Sequence, residues 1–384
     1  MSREVVIVEA VRTPVGKRNG VFREQHPVQL AAKVLDEVIT RTGIEKKEVE
    51  DIIMGCVTPI EEQAWNIGRL ATLEADFPIE VPAVQINRAC GSGQQAVHFA
   101  AQAILAGDMD VTIGAGVEHM TKIAVWSDGN ERTIPNTLKG KFEWIHQGNS
   151  AERIAIKYGL SREELDEYSL LSHQKALQAQ LEKRFHHEIV PVEGLDKEGA
   201  PILVTQDEGP RSDTSLAALA KLKPVFQEDG MITAGNASQI SDGAAAVLLM
   251  EKRKALSLGL KPRARIVSRV VVGSDPTLML DGVIPATQKI LQKTGLTLEE
   301  IDLIEINEAF ASVVLAWQKT LGVDLSKVNV NGGAIALGHP LAATGAKLIA
   351  TLLHELERRD GRYGLLTICI GFGMATAMII ERLP

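Results

Sequence analysis

The sequence predicts an α/β protein made of two similar halves, with a loop-rich segment inserted into the first. Apolar, β-branched runs alternate with helical patterns along its 384 residues, the texture of a largely buried sheet covered by helices. The chain also resembles itself. EVITRTGIEKKEVEDIIMG at 37–55 and TQKILQKTGLTLEEIDLIEIN at 287–307 each run from a helix through a Thr-Gly stop and an acidic spacer into a buried strand. Between about 118 and 239 this alternation gives way to loops, a charged helix and a turn-rich stretch at 193–215.

Taken in order, strands are expected at 5–8, 51–54, 111–113, 301–306, 365–370 and 375–380, where apolar and β-branched residues cluster. Helices are expected at 30–41, 94–105, 161–181, 286–293 and 346–358, from apolar residues three and four apart. The internal echo keeps one register: Gly43 aligns with Gly295, Val49 with Ile301 and Met54 with Ile306. At nearly the same offset Thr112-Ile113 aligns with Thr367-Ile368, and a constant offset over two segments argues for similar halves. The expected organisation is a first half at 1–117 that resumes at 240–264, an insertion at 118–239, and a second half at 265–384. The insertion would supply loops to a site built elsewhere.

Hydrophobic residues make up 45% and charged residues 23%, ordinary for a globular protein in water. The net charge of −8 argues against nucleic acid or an anionic membrane as a partner. Three cysteines, Cys56, Cys90 and Cys369, cannot all pair with one another and match no zinc spacing, so a reducing compartment is expected. MSREVVIVEA enters an apolar run at once, which leaves no room for a signal peptide. The uncharged apolar run at 365–380 has 16 residues, short of the ~20 of a membrane helix. It reads as two buried strands around a glycine turn, in a cytoplasmic protein.

Four stretches could carry chemistry. NRACGSGQQAV at 87–97 puts Cys90 at the mouth of a helix, where unpaired N–H groups favour a thiolate, although a small buried hydrophobe would also fit. NVNGGAIALGHPLAATGA at 329–346 sets His339 in a glycine-rich apolar loop whose backbone Pro340 restrains, as a general base or as a satisfied loop histidine. CIGFGMA at 369–375 ends a strand on Cys369 and opens a turn whose N–H groups could bind an oxyanion; a core cysteine is the alternative. EINEAF at 305–310 sets Asn307 and Glu308 at a strand end, as site residues or as a helix cap.

Together, and in this order, these stretches resemble the thiolases, which make or cleave 3-ketoacyl-CoA. The likeness runs from VEAVRTPVGKRNG at 8–20 through GNASQISDGAAAV at 235–247 to the last strand. For the fold it implies two βαβαβαββ halves forming a five-layered αβαβα core, with an inserted loop domain. For the site it implies that Cys90 carries the acyl group as a thioester, that His339 activates Cys90, and that Cys369 moves a proton at the α-carbon of the second acyl-CoA. One thiol cannot serve as acyl carrier and as the base for an enolate at once. The N–H groups of Cys90 and Gly371 would form one oxyanion hole, and His339 with a water held by Asn307 the other. Ser238 would contact the pantetheine arm and Arg211 lie by the adenine, with His146 and Met279 lining the acyl pocket. Coenzyme A enters as a substrate; no bound cofactor or metal is required, and a homodimer or homotetramer is expected.

The chain also departs from the family pattern. Cys-Ile-Gly-Gly-Gly becomes Cys369-Ile370-Gly371-Phe372-Gly373, Ala342 replaces the glycine after GHPL, Gln147 replaces a methionine of the acetoacetyl type, and 118–146 is shorter than in the biosynthetic enzymes. These changes bear on acyl preference and tetramer contacts, since every reacting group is retained. The reading is CoA-dependent cleavage of a 3-ketoacyl-CoA to acetyl-CoA and a shortened acyl-CoA, in fatty-acid breakdown. The alternatives are condensation of two acetyl-CoA, a ketoacyl synthase, a cysteine hydrolase, and a subunit that binds acyl-CoA without turnover.

Overall fold

The apolar runs form strands in the computed structural model, which describes residues 3–130 and 132–384. The first part of the chain supplies β1 (Val5–Arg12), the short β2 (Gly16–Lys17), β3 (Asp51–Gly55), β4 (Ala83–Ile86) and β5 (Val111–His119). A separate hairpin follows, β6 (Val192–Leu195) and β7 (Pro201–Val204). Then come β8 (Ser241–Glu251), β9 (Ala264–Gly273), β10 (Leu303–Ile306), β11 (Tyr363–Ile370) and β12 (Met374–Arg382). The main sheet has the order β10-β11-β12-β9-β1-β8-β5-β3-β4, with β2 beside β8. Its two parts are stitched where β1 meets β9, by the pairs Val6 with Arg265 and Ile7 with Ala264.

These two parts share one topology. In the first, β3 lies parallel to β4 and β5, and β8 runs antiparallel to β5 and β1. In the second, β10 lies parallel to β11, and β12 runs antiparallel to β11 and β9. A parallel bridge from Ile304 to Val328 stands where β4 stands in the first part. The sequence echo falls on matching strands, β3 with β10 and β5 with β11.

Helices Ser92–Ala106 and Thr344–Arg358 pack on each other between the two sheet parts, in one apolar core. Pro27–Thr42 covers the outer face of the first part, and Val283–Thr294 with Ala311–Leu321 covers that of the second. The layers therefore run helix, sheet, helix, sheet, helix. A helix between two sheets is buried all round, and every residue from Thr344 to Leu353 is buried.

The N-termini of the two central helices meet backbone to backbone. A Cβ on Gly93 would lie 2.3 Å from the Ala342 carbonyl oxygen, and one on Gly345 would lie 2.1 Å from the Gln94 nitrogen. Glycine is the residue that permits such an approach. The contact sets the Cys90 turn of one half against the His339 loop of the other. The first helix starts at Ser92 rather than Gln94, so Ser92 and Gly93 form its first turn, and the strained residue is Ala89, at φ 42°.

The segment between β5 and β8 is anchored to β1 by a buried ion cluster. Arg12, 1% exposed, reaches Glu188 Oε1 at 2.6 Å and grips Asp207 with both terminal nitrogens, at 2.6 and 2.9 Å. Glu308 anchors the segment a second time, accepting from Tyr168 at 2.8 Å and Ser172 at 2.7 Å.

Candidate active site

Cys90 follows β4 through a turn built from side chains. Asn87 Oδ1 accepts from the Ala89 N–H and Ser92 Oγ from the Arg88 N–H, both at 2.8 Å. These bonds hold Ala89 in its left-handed conformation and aim the thiol at the mouth of helix Ser92–Ala106. The sulfur, 4% exposed, faces the Gly371 N–H, its own N–H and the Gln147 side chain. The helix terminus alone argues for a thiolate, and the free protein corrects that expectation. Burial pushes the Cys90 thiol up to about 11 despite these donors, because desolvating the anion outweighs the hydrogen bonds it would accept.

His339 comes from the other half. Its Nδ1 lies 2.6 Å from Thr344 Oγ1, whose hydroxyl donates to the Pro340 carbonyl at 2.9 Å. A hydroxyl already donating must accept from the ring, so the proton sits on Nδ1 and Nε2 keeps its lone pair. Asn307 Nδ2 lies 3.3 Å from that Nε2, and Asn307 Oδ1 is buried without a partner within the protein. Burial, and then the charge of Lys347, push His339 down to about 3, so the imidazole is neutral at physiological pH.

Cys369 lies near the end of β11, fully buried. Burial and then the neighbouring Cys90, which comes from the other half, push its thiol well up. Past it, Gly371, Phe372 (φ 67°) and Gly373 (φ 77°) make the turn into β12. Glu118, at the end of β5, accepts from the N–H groups of Val57 at 3.0 Å, Thr58 at 3.2 Å and Ala342 at 3.2 Å. One buried carboxylate thus ties the His339 loop to the Cys90 half. Ala342 itself is buried outside the left-handed region, so its loop accepts an alanine.

His146 caps helix Gln147–Lys157, accepting from the Gly148 N–H at 3.1 Å, and stacks on Phe226 with ring centres 5.0 Å apart. With Met279, Gln147 and Phe372 it lines a cavity of about 480 Å³. Ser238 lies beside the stretch that follows β10, its N–H donating to the Ala309 carbonyl at 2.9 Å. Gln239, next to Ser238, donates to the carbonyls of Gly209, Ile335 and Ala336 and accepts the His339 N–H at 3.3 Å. The exposed Arg211 is held by its backbone N–H, which donates to His173 at 3.1 Å. Among the described residues no group of three His, Cys, Asp or Glu is placed to hold a metal ion, and no helix is long and apolar enough to cross a membrane.

Two family models match nearly the whole chain: the thiolase N-terminal domain over residues 5–253 and the thiolase C-terminal domain over 260–382. The chain belongs to the thiolase family. It is 49% identical over 391 residues to the steroid 3-ketoacyl-CoA thiolase FadA6 of Mycobacterium tuberculosis, covering 99% of this chain and 94% of that one. It is 42% identical over 396 residues to the acetyl-CoA acetyltransferase of Allochromatium vinosum, covering 100% of both. The human mitochondrial 3-ketoacyl-CoA thiolase superposes with a TM-score of 0.91 at 37% identity, covering 99% of each chain. Like these relatives, the chain is an acyltransferase.

This thiolase brings Cys90 together with Cys369 and the Gly371 N–H, pairs His339 with Asn307, and sets His146 and Met279 on one cavity. Sequence reasoning missed Thr344, Glu118, Trp126 and Trp144. Thr344 stands inside the His339 stretch, and a hydroxyl five residues past a histidine at a helix start was a readable signal. Two of the four tryptophans fall within 126–144, which was another. Glu118 left no signal, because several of its partners are backbone groups distant in sequence.

Proposed function

We propose that this thiolase works in the degradative direction, cleaving a 3-ketoacyl-CoA with CoA into acetyl-CoA and an acyl-CoA two carbons shorter. One juxtaposition carries the reading: Cys90 and Cys369, buried neighbouring thiols from different halves, lie with the Gly371 N–H beside Cys90, and the loop of a neutral His339 packs on the start of the Cys90 helix. Cys90 passes its proton to His339 Nε2 as its sulfur attacks the 3-keto carbon. The charge that develops on the former carbonyl oxygen is received by the N–H groups of Cys90 and Gly371. As the carbonyl re-forms, the C2–C3 bond breaks and its electron pair passes to C2, giving the enolate of acetyl-CoA. The protonated His339 and Asn307 face the enolate oxygen, and Cys369 delivers a proton to C2. Cys369, now a thiolate, takes the proton of an incoming CoA thiol. That thiol attacks the Cys90 thioester, and the Cys90 thiolate leaves and recovers its proton from His339. No bound cofactor or metal enters any step.

Two observations favour cleavage over condensation of two acetyl-CoA: a relative at 49% identity is named for a 3-ketoacyl-CoA, and the cavity beside Cys90 far exceeds a methyl group. In this reading the segment 118–239 supplies the acyl pocket, the halves at 1–117 with 240–264 and at 265–384 supply the reacting groups, and Ser238 and Arg211 hold CoA. Three buried free cysteines support a reducing, cytoplasmic setting. A homodimer is supported by the edge strand β4, where Val84 is 44% exposed and Phe99 nearby 40%. Around them Arg88 Nε, Gln95 Oε1, His98 Nε2 and Arg269 Nε are buried without partners within the chain, and paired edges satisfy such groups. Sedimentation as a monomer at micromolar concentration would overturn the dimer.

The test of the activity is direct. Incubated with CoA and a series of 3-ketoacyl-CoA esters, the purified protein is expected to release acetyl-CoA and the shortened acyl-CoA in equal amounts. Binding of the esters without cleavage would refute the activity.

A further inference from the structure

The acyl chain that this thiolase takes is written in the cavity next to Cys90, and the inference rests on the cleavage reading above. The route from sulfur to cavity is short. Gln147 faces Cys90 and also lines the cavity. A Cβ on Gly371 would lie 2.9 Å from Gln147 Nε2 and 3.3 Å from the Trp126 indole. Phe372, the next residue, forms a wall: it is 45% exposed, meets Trp126 edge-on at 5.1 Å and 77°, and tilts against Trp144 at 6.0 Å. Met279 and Ile145 complete the apolar lining.

Three of the lining residues hold backbones that their side chains disfavour: Trp126 at φ 68°, Met279 at φ 30° and Phe372 at φ 67°. Strain of this kind survives where the surroundings hold it, and it clusters at ligand sites. At 372 a glycine would relieve the strain and remove the wall. Trp126, Ile134, Trp144, Ile145, Met279 and Phe372 make the lining mainly apolar among the described residues, and a charged tail against them would exchange water for apolar contacts. Two flat faces meeting nearly at a right angle fit a ring better than a flexible chain, which must also be immobilised.

We propose that Phe372, Trp126 and Trp144 are specificity-determining residues that select uncharged, ring-bearing acyl groups on Cys90. In the cleavage reaction the group transferred to the Cys90 sulfur is the part beyond C3, so its ring lies in this aromatic corner while the acetyl-CoA portion leaves. Aromatic walls add contact to a ring and little to a methyl group.

The experiment compares kcat/KM for CoA-dependent cleavage of acetoacetyl-CoA, 3-oxononanoyl-CoA and 3-cyclohexyl-3-oxopropanoyl-CoA. The last two carry the same number of acyl carbons. The wild type is expected to favour the cyclohexyl ester over acetoacetyl-CoA by about tenfold or more, and over the straight chain by several-fold. Phe372→Gly and Trp126→Ala are each expected to lower the ratio of cyclohexyl to acetoacetyl rates about tenfold. A ratio within one preparation is independent of how much of a variant folds. Equal rates for the ring and straight esters, or ratios unmoved in both variants, would overturn this inference and leave the cleavage reading standing. Failure of the wild type to cleave any ester would overturn both.

Discussion

Cys90→Ala is expected to abolish thiolysis, whereas Cys369→Ala is expected to slow it about 10²–10⁴-fold while still taking an acyl group onto Cys90. The difference follows from what each sulfur bonds. Cys90 carries the covalent intermediate, so without it no split of the reaction into two steps exists. Cys369 moves protons at C2 and at the incoming CoA, and a positioned acid/base of that kind is worth a rate factor rather than the reaction itself. Mass spectrometry after incubation with an acyl-CoA separates the two: Cys369→Ala gains the acyl mass and Cys90→Ala does not. A Cys369→Ala enzyme with wild-type turnover would remove Cys369 from the proton path.

The raised Cys90 thiol adds a pH signature to the free enzyme. With the thiol pushed up to about 11 by burial, the thiolate fraction below that pH grows about tenfold per pH unit. Alkylation of Cys90 by iodoacetamide is therefore expected to climb steadily from pH 6 to pH 10 (both values on the scale of ordinary thiol titrations, about 8.5). A plateau near neutral pH would mean that His339 already holds the proton before substrate arrives.

Arg12→Leu is expected to cost about 3–5 kcal/mol of stability, a large share of what a folded chain holds in reserve. Arg12 faces two buried carboxylates, Glu188 at 1% and Asp207 at 0% side-chain exposure. Leucine fills much of the volume and leaves the two carboxylates with only the charge of the nearby buried Lys347 to offset them. Burying an ion pair is roughly neutral against apolar packing, but breaking one strands a charge. The triple variant Arg12→Leu, Glu188→Gln, Asp207→Asn is therefore expected to recover part of the loss in urea denaturation. A single variant unfolding within about 1 kcal/mol of the wild type would show that the cluster contributes little.

The strands and helices read from apolar runs are present, most of them extended by a few residues, while the strand expected at 301–306 begins only at Leu303 and the helix expected at 161–181 begins at Arg162. β8 was not legible. Its residues Ser241–Glu251 are buried on both faces, so no alternation marks it, and the alanine run that opens it favours a helix by propensity. β4 escaped for the opposite reason: an edge strand of four residues, partly exposed throughout, offers too little apolar signal. The duplicated topology was visible in a spaced echo, because a buried strand after a Gly-capped helix constrains residue types wherever it occurs.

What the sequence by itself determined is chemistry that local residues carry. A thiol after a short turn, a histidine held by proline and glycines, and a second thiol before a glycine turn each place a reactive group on a rigid backbone within a dozen residues. What only the tertiary structure decided is how these groups see one another. The proton on His339 Nδ1 depends on Thr344, the joining of the halves on Glu118, and the Cys90 thiol's titration on how deeply it is buried. The aromatic corner depends on Phe372 meeting Trp126 and Trp144 across some 230 residues of chain. Solvation and contact between distant segments set these properties, and neither is a function of neighbouring residues in the chain.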